Sequence, residues 1–234
     1  MILLTKRNRL ITHVETDQPV AALTFDDGPH PEYTPSLLHI LEKHSVKATF
    51  FMLGISANQY PDIVKMVARA GHTIGNHSWD HKYLPGVSSR IQRLLQIHKT
   101  AKVLAPHCKR LLRPPYGGNN THLQVDTFLM QYRIILWSDS AQDWLLTDSL
   151  DISKKIQDRI KPGTIFLLHD AIYAPESTPF MLDREPMIEG LDMALSSLKN
   201  KITFVTVPEL LKSGRAVCNW PRPDNTDQNS SIYE

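Results

Sequence analysis

Seven short apolar runs, at 20–25, 47–53, 72–76, 110–113, 133–137, 164–168 and 202–207, alternate along this chain with seven amphipathic stretches. These fall at roughly 34–44, 58–70, 88–104, 120–131, 149–160, 186–200 and 208–213. An apolar run of strand length bounded by turn residues reads as a strand buried on both faces. The stretches between show helical spacing, with Leu37, Leu38 and Leu41 in the first and Ile63, Val64 and Val67 in the second. Pro61 suits a first helical turn and Gly71 a helix end. Repeated strand–helix units imply parallel strands joined by right-handed crossovers. The expected fold class is therefore α/β, with a sheet that closes into a TIM-like barrel or stays open and doubly wound. At 234 residues, 41% of them hydrophobic, the chain suffices for one well-filled core and is short for two domains.

In either architecture the chemistry gathers at the carboxyl ends of the strands. Asp26 and Asp27 follow the first run, and Gly28-Pro29 then turns the chain. His77 and His81 follow the third run, Arg113-Pro114-Pro115-Tyr116-Gly117 the fourth, Asp139 and Asp143 the fifth, and His169 and Asp170 the sixth. Scattered structural residues would not gather at one rim from five strands. Adjacent carboxylates at a buried strand end need a cation or a proton to be tolerated.

His77 and His81 stand four residues apart, and on a helical turn that spacing puts both imidazoles on one face, in reach of one metal. With a carboxylate from another strand end they make a two-histidine, one-carboxylate set that leaves positions for water and substrate. Successive strand residues face opposite ways, so one of Asp26 and Asp27 ligates and its neighbour is left as a base. His169 ends a buried strand and could protonate a leaving group, or simply hydrogen-bond at the rim. Arg113 could fix a carboxylate through its planar fork, although taken singly it also reads as an ordinary surface arginine.

Composition excludes other classes. The formal net charge is +2 with no long basic block, so nothing points to nucleic acid or an anionic membrane. The two cysteines, Cys108 and Cys218, lack the spacing of a zinc site and could pair or remain as thiols. No run reaches transmembrane length, and the apolar start Met1-Ile2-Leu3-Leu4 is too short for a signal-peptide core. The expectation is a soluble chain without an export signal, cytoplasmic as written.

Thr24-Phe25-Asp26-Asp27-Gly28-Pro29, His77-Ser78-Trp79-Asp80-His81, Arg113-Pro114-Pro115-Tyr116-Gly117, Asp143-Trp144 and Leu167-Leu168-His169 together resemble the ordered motifs of the polysaccharide deacetylase (NodB-homology) family, carbohydrate esterase family four. The resemblance spans roughly residues 20–212. It implies an irregular (β/α) barrel of about seven parallel strands, the polysaccharide deacetylase (NodB-homology) domain being expected over 20–213. Residues 1–19 are expected as an N-terminal extension, and the polar, Pro-interrupted composition marks 214–234 as a flexible tail. It implies Asp27, His77 and His81 as ligands of a divalent metal, usually zinc, with cobalt or nickel as alternatives. Asp26 would be the base and His169 the acid; the Tyr116 backbone N–H would face the oxyanion. Arg113 would hold Asp26, Asp143 would tune His169, and Trp144 and Leu167 would line the acetyl pocket.

The resemblance implies a glycan partner and removal of N-acetyl groups from N-acetylglucosamine-containing polymers such as peptidoglycan or chitin-like oligomers. Alternatives are O-deacetylation of xylan, hydrolysis of a non-sugar amide, or a binding barrel without catalysis. In one place the chain departs from the family pattern: Ser140 stands where an aspartate often precedes the Asp-Trp pair by three residues. That touches the tuning of His169 and substrate preference, and leaves the metal and proton-transfer positions filled. Tyr83, Trp144 and Tyr173 are candidate sugar-stacking aromatics, each equally readable as packing.

Overall fold

A computed structural model of the chain describes residues 10–145, 148–173 and 182–219. The parallel strands are β1 (Leu10–Ile11), β3 (Val20–Asp26), β4 (Thr49–Met52), β5 (Thr73–Asn76), β6 (Cys108–Leu112), β7 (Arg133–Ile135), β8 (Asp139–Ser140), β9 (Ile165–His169) and β10 (Thr203–Phe204). They form one sheet in the order β1-β7-β6-β5-β4-β3-β9-β8, with β10 added beside the start of β3. Strands β7 and β8 are two pieces of one run. Its start pairs with β6 and its end with β9, so the curled sheet comes round on itself as an α/β barrel. The expected irregular barrel of parallel strands is what forms.

Strand alternation sorts the residues. Ala21, Leu23 and Phe25 of β3, Phe50 and Met52 of β4, and Phe166 and Leu168 of β9 join one apolar cluster with the helices. That outer layer includes Leu37 and Leu41 of α1 (Tyr33–Lys43), Val64 and Val67 of α3 (Pro61–Arg69), and Leu191 and Leu195 of α7 (Glu185–Leu198). The intervening residues Ala22, Phe51 and Ile165 meet Ile11, Leu111 and Ile135 in a second cluster. Thr24 and Asp26 share the β3 face that carries Ala22, which aims both at the barrel interior.

The helical stretch expected at 58–70 divides into α2 (Gly54–Gln59) and α3, with Tyr60 as the joint. Pro61 has no N–H to continue α2 and instead opens α3 at its first position. The remaining helices, α4 (Arg90–Val103), α5 (Thr121–Leu129), α6 (Ser149–Arg159) and the short α8 (Val207–Leu210), lie within the expected stretches or begin one residue before them.

Two segments differ from the sequence reading. Residues expected as an N-terminal extension form β1 and β2 (His13–Glu15), and residues expected as tail form β11 (Arg215–Val217), which pairs antiparallel with β2. Pieces of two or three residues are too short to carry a periodicity, so only tertiary pairing reveals them. The rest of that tail, 220–234, and the first nine residues lie outside the described residues. Both cysteines are free thiols.

Candidate metal centre and active site

The register of the central strands assembles the site. Asp26 pairs with His169 across β3 and β9, Met52 with Asn76 across β4 and β5, and Asn76 with Leu112 across β5 and β6. Residues just past these ends, Asp27, His77 and Arg113, are thereby brought to one rim.

Asp27 lies beyond the last strand residue with φ +73, a left-handed conformation that aspartate tolerates. This turn, more than strand alternation, separates it from Asp26. Its Oδ1 is 3.2 Å from His77 Nε2 and 3.2 Å from His81 Nε2, and it is buried without a hydrogen-bond partner among the described residues. Its Oδ2 accepts the Tyr173 N–H at 2.9 Å. His77 Nδ1 is 2.7 Å from the Arg113 carbonyl. A carbonyl can only accept, so that nitrogen carries a proton, and in the neutral ring the lone pair then lies on Nε2. The ligand atoms of Asp27, His77 and His81 lie within 4.8 Å of one another. A buried oxygen with no partner, set between two imidazoles one of which is fixed by a backbone carbonyl, fits a divalent cation of the zinc type. Burial pushes the Asp27 carboxyl up, but His81 and His77 outweigh it and hold the group well below the usual carboxylate range.

The histidine pair does not ride on a helix, as its spacing suggested. Residues 77–83 are a loop, with Ser78 at φ +69 and His81 at φ +60. The loop is pinned instead: Ser78 O and Trp79 O accept the Gly54 and Ile55 N–H groups, and Gln96 Oε1 accepts the Trp79 N–H. The His81 ring lies 4.7 Å from that of Tyr116.

Arg113 is fully buried, so the surface reading is overturned. Its fork divides four ways: Nη1 donates to Asp26 Oδ1 at 2.9 Å and Thr24 Oγ1 at 2.7 Å, Nε to Ile135 O, and Nη2 to Leu136 O. Asp26 Oδ2 is left 3.8 Å from His77 Nε2. Tyr116 sits in a 3₁₀ turn (Pro115–Gly117) with φ +59, a costly backbone state that turns the loop at the rim.

On the opposite side Asp143, fully buried, places Oδ1 at 3.1 Å from His169 Nδ1 and accepts the His169 N–H at 2.9 Å through Oδ2. Burial lowers the His169 pKa, but Asp143 overrides it, with Asp27 and Asp26 adding, and raises it to about 9. The Trp144 ring stands edge-on 5.3 Å from His169. Leu167, two residues before His169 on the same face of β9, is buried and belongs to neither apolar cluster. Asp139 points elsewhere and pairs with Arg159. Tyr83 packs over Gly118, and Tyr173 lies 6.1 Å from His81.

One contributor was not singled out by sequence, and a second was placed at the rim without its role. Arg184, just before α7, is buried and donates to the Asp143 carbonyl at 3.1 Å, and nothing local in the sequence marks it. Asp170 was legible as a rim acid but not as part of the Asp27 turn.

A parallel barrel carrying this carboxylate–histidine cluster at its strand ends defines a hydrolase-type centre. The sequence profile described as "Polysaccharide deacetylase" matches residues 13–134. Over 198 residues the chain is 36% identical to a peptidoglycan-N-acetylglucosamine deacetylase of Bacillus cereus, covering 83% of this chain and 69% of that protein. It is 36% identical over 163 residues to a chitooligosaccharide deacetylase of Azorhizobium caulinodans, covering 67% and 76%. A crystal structure of a peptidoglycan N-acetylglucosamine deacetylase superposes with TM-score 0.78 at 32% identity, over 90% of this chain and 96% of that one. A family 4 carbohydrate esterase from Streptomyces lividans, solved with acetate, superposes with TM-score 0.72 at 26% identity, over 90% and 100%. The chain belongs to the polysaccharide deacetylase family of hydrolases.

Proposed function

We propose that this chain is a divalent-metal-dependent N-deacetylase of N-acetylglucosamine-containing glycans, of the peptidoglycan or chitin-oligomer type. The observation that carries the reading is Asp27 Oδ1, buried without a partner between two histidine Nε2 atoms, with Asp26 and His169 paired in register beside it. The Bacillus cereus and Azorhizobium caulinodans relatives are named as deacetylases of such glycans, and no helix among the described residues is long and apolar enough to cross a membrane.

Asp27, His77 and His81 would hold the cation. Once bound, a zinc-type ion lowers the pKa of water and polarises an acyl oxygen. Asp26, oriented by Arg113, whose Nη1 is also held by the Thr24 hydroxyl, accepts the proton of the attacking water. The Tyr116 N–H, turned by its left-handed backbone, donates to the developing oxyanion. His169, whose Nδ1 faces Asp143, gives its Nε2 proton to the departing amine. Trp144 and Leu167 flank His169 and would receive the acetyl methyl.

The test is acetate release from chitooligosaccharides by the protein as isolated, after chelation, and after zinc or cobalt is restored. Chelator-sensitive release recovered by metal is expected. Release from acetylated xylan alone would move the assignment to an ester. Metal binding with no release from either would move it to a non-sugar amide. No metal binding and no release would leave a binding barrel.

A further inference from the structure

We propose that Asp170 is a positioning residue for the metal ligand Asp27: its carboxyl, fastened by Thr34, braces the Asp27–Gly28–Pro29 turn and thereby sets the affinity of the site for a divalent cation. The inference rests on the reading of Asp27 as a ligand.

Asp170 is 1% exposed and directly follows the end of β9. Its carboxyl lies against the backbone of Gly28. A Cβ built on that glycine would stand 2.2 Å from Asp170 Oδ2 and 2.5 Å from Oδ1, so any larger residue there would have to displace the Asp170 carboxyl. Thr34 Oγ1 donates to Asp170 Oδ2 at 2.5 Å and itself accepts the His30 N–H at 2.8 Å. Thr34 is fully buried on the inner side of α1. Two hydrogen bonds, Thr34 to Asp170 and His30 to Thr34, therefore join the end of β9 to the far side of the turn that begins at Asp27, and the carboxyl packs on Gly28 within that turn. The Gly28 carbonyl in turn accepts the Leu53 N–H, fixing the turn to the end of β4.

The same segment grips Asp27 twice. Asp170 presses on the backbone that follows it, and Tyr173 N–H holds its Oδ2. The ligand carboxylate needs both constraints. The left-handed φ of Asp27 chooses where the carboxyl points, and the Tyr173 bond chooses which oxygen faces His77 and His81. Asp170 Oδ1 is buried without a hydrogen-bond partner among the described residues, an expensive arrangement for a group with no task. Bracing the turn that aims the ligand gives that acid a role.

Zinc affinity of the full chain, measured by competition with a chromophoric chelator, tests this. Substituting a group that orients a ligand weakens metal binding by about 10–100-fold. That loss is expected for Asp170→Ala. Asp170→Asn, which keeps an acceptor for the Thr34 hydroxyl and the same shape, should stay within roughly threefold of the wild type, a small part of that range. Thr34→Val, equal in size and lacking only the hydroxyl, should fall between, and it decides the matter if Asp170→Ala does not fold. Turnover of the Ala variant should recover at saturating zinc. Wild-type affinity in Asp170→Ala or in Thr34→Val would overturn the proposal, as would an Asn variant as weak as the Ala variant. Should the wild type bind no zinc, and His77→Ala behave identically, the metal reading itself fails. If the wild type binds zinc, His77→Ala does not, and the Asp170 and Thr34 variants are unaffected, the brace alone fails.

Discussion

His169 and Asp143 meet at the end of β9 with 3.1 Å between Nδ1 and Oδ1, and the second Asp143 oxygen takes the His169 backbone N–H at 2.9 Å. One carboxylate thus fixes both the ring and the chain that carries it. The arrangement directs Nε2 away from Asp143, and the adjacent charge favours the protonated ring.

The pH dependence follows from that pairing. With the His169 pKa raised from 6.5 to about 9, chiefly by Asp143 against burial, the imidazolium persists through neutral pH. A general acid works in its protonated form, so kcat should fall as pH rises through about 9. A bound cation would offset the share that Asp27 and Asp26 contribute and draw the limb somewhat lower. Asp143→Asn removes the largest raising influence, and its alkaline limb should move towards the ordinary histidine value. The folded state should respond with the same sign: the pairing stabilises fully below about 6.5 and loses its effect as pH climbs through about 9. A pH–rate profile for the two proteins checks this, and coincident alkaline limbs would remove His169 from the acid's role.

Asp26→Asn separates base from ligand. The amide can still accept from Arg113 but cannot take a proton, so turnover should drop by about 10²–10⁴ while zinc stoichiometry is unchanged. His77→Ala should instead lose the metal. Initial rates alongside metal analysis of both variants decide it; near wild-type rates in Asp26→Asn would show that the base lies elsewhere.

Much of the fold was legible because strands covered on both sides are written as unbroken apolar runs. Val20-Ala21-Ala22-Leu23-Thr24-Phe25 and Thr49-Phe50-Phe51-Met52 contain no polar residue facing solvent, and all but Val20 are buried. The site was legible for a related reason, since register carries strand-end residues to one rim whatever their separation in sequence. What escaped was set by tertiary contact alone. The His77–His81 spacing suggested a helical turn, but the left-handed backbones of Ser78 and His81 and the bonds from α2 and Gln96 make it a pinned loop. Arg113 read equally as a surface residue because nothing local announces that Ile135 O, Leu136 O, Thr24 and Asp26 will surround it. Arg184 reaches Asp143 from a segment with no strand-end signature.

Arg113 should also be a determinant of stability. Its guanidinium is desolvated, stands 4.3 Å from the Phe51 ring and faces the buried Asp26 carboxylate. Burial lowers its pKa and Asp26 opposes that shift. Removing one partner of a buried pair leaves the other uncompensated, at about 3–5 kcal/mol. Arg113→Met is expected to lose stability on that scale in urea denaturation. Arg113→Lys keeps the charge but cannot span two carbonyls, a hydroxyl and a carboxylate, so it should restore only part of the loss. Equal stability of Arg113→Met and the wild type would mean that Asp26 is neutralised by some other group.

Gly163 and Gly71 offer a controlled comparison of how firmly the early strands are built in. Both are left-handed, at φ +83 and φ +82. Alanine at Gly71 would meet nothing nearer than the Lys47 side chain at 3.6 Å, so only the backbone penalty of about 1–2 kcal/mol should appear. At Gly163 the new Cβ would lie 1.7 Å from the Val14 carbonyl oxygen, where Val14 N–H donates to Gly163 O and Gly163 N–H donates to Val20 O. Accommodating it requires β2 to move, and with it the pairing to β11 and the burial of Val14 and Ile11 in the inner cluster. Gly163→Ala should therefore cost several times as much as Gly71→Ala in the same denaturation experiment. Equal costs would mean that β2 yields freely and contributes little to the barrel. A large difference would make residues 10–15 a structural part of the catalytic unit, since their displacement also frees the edge of β7 against which β1 is paired.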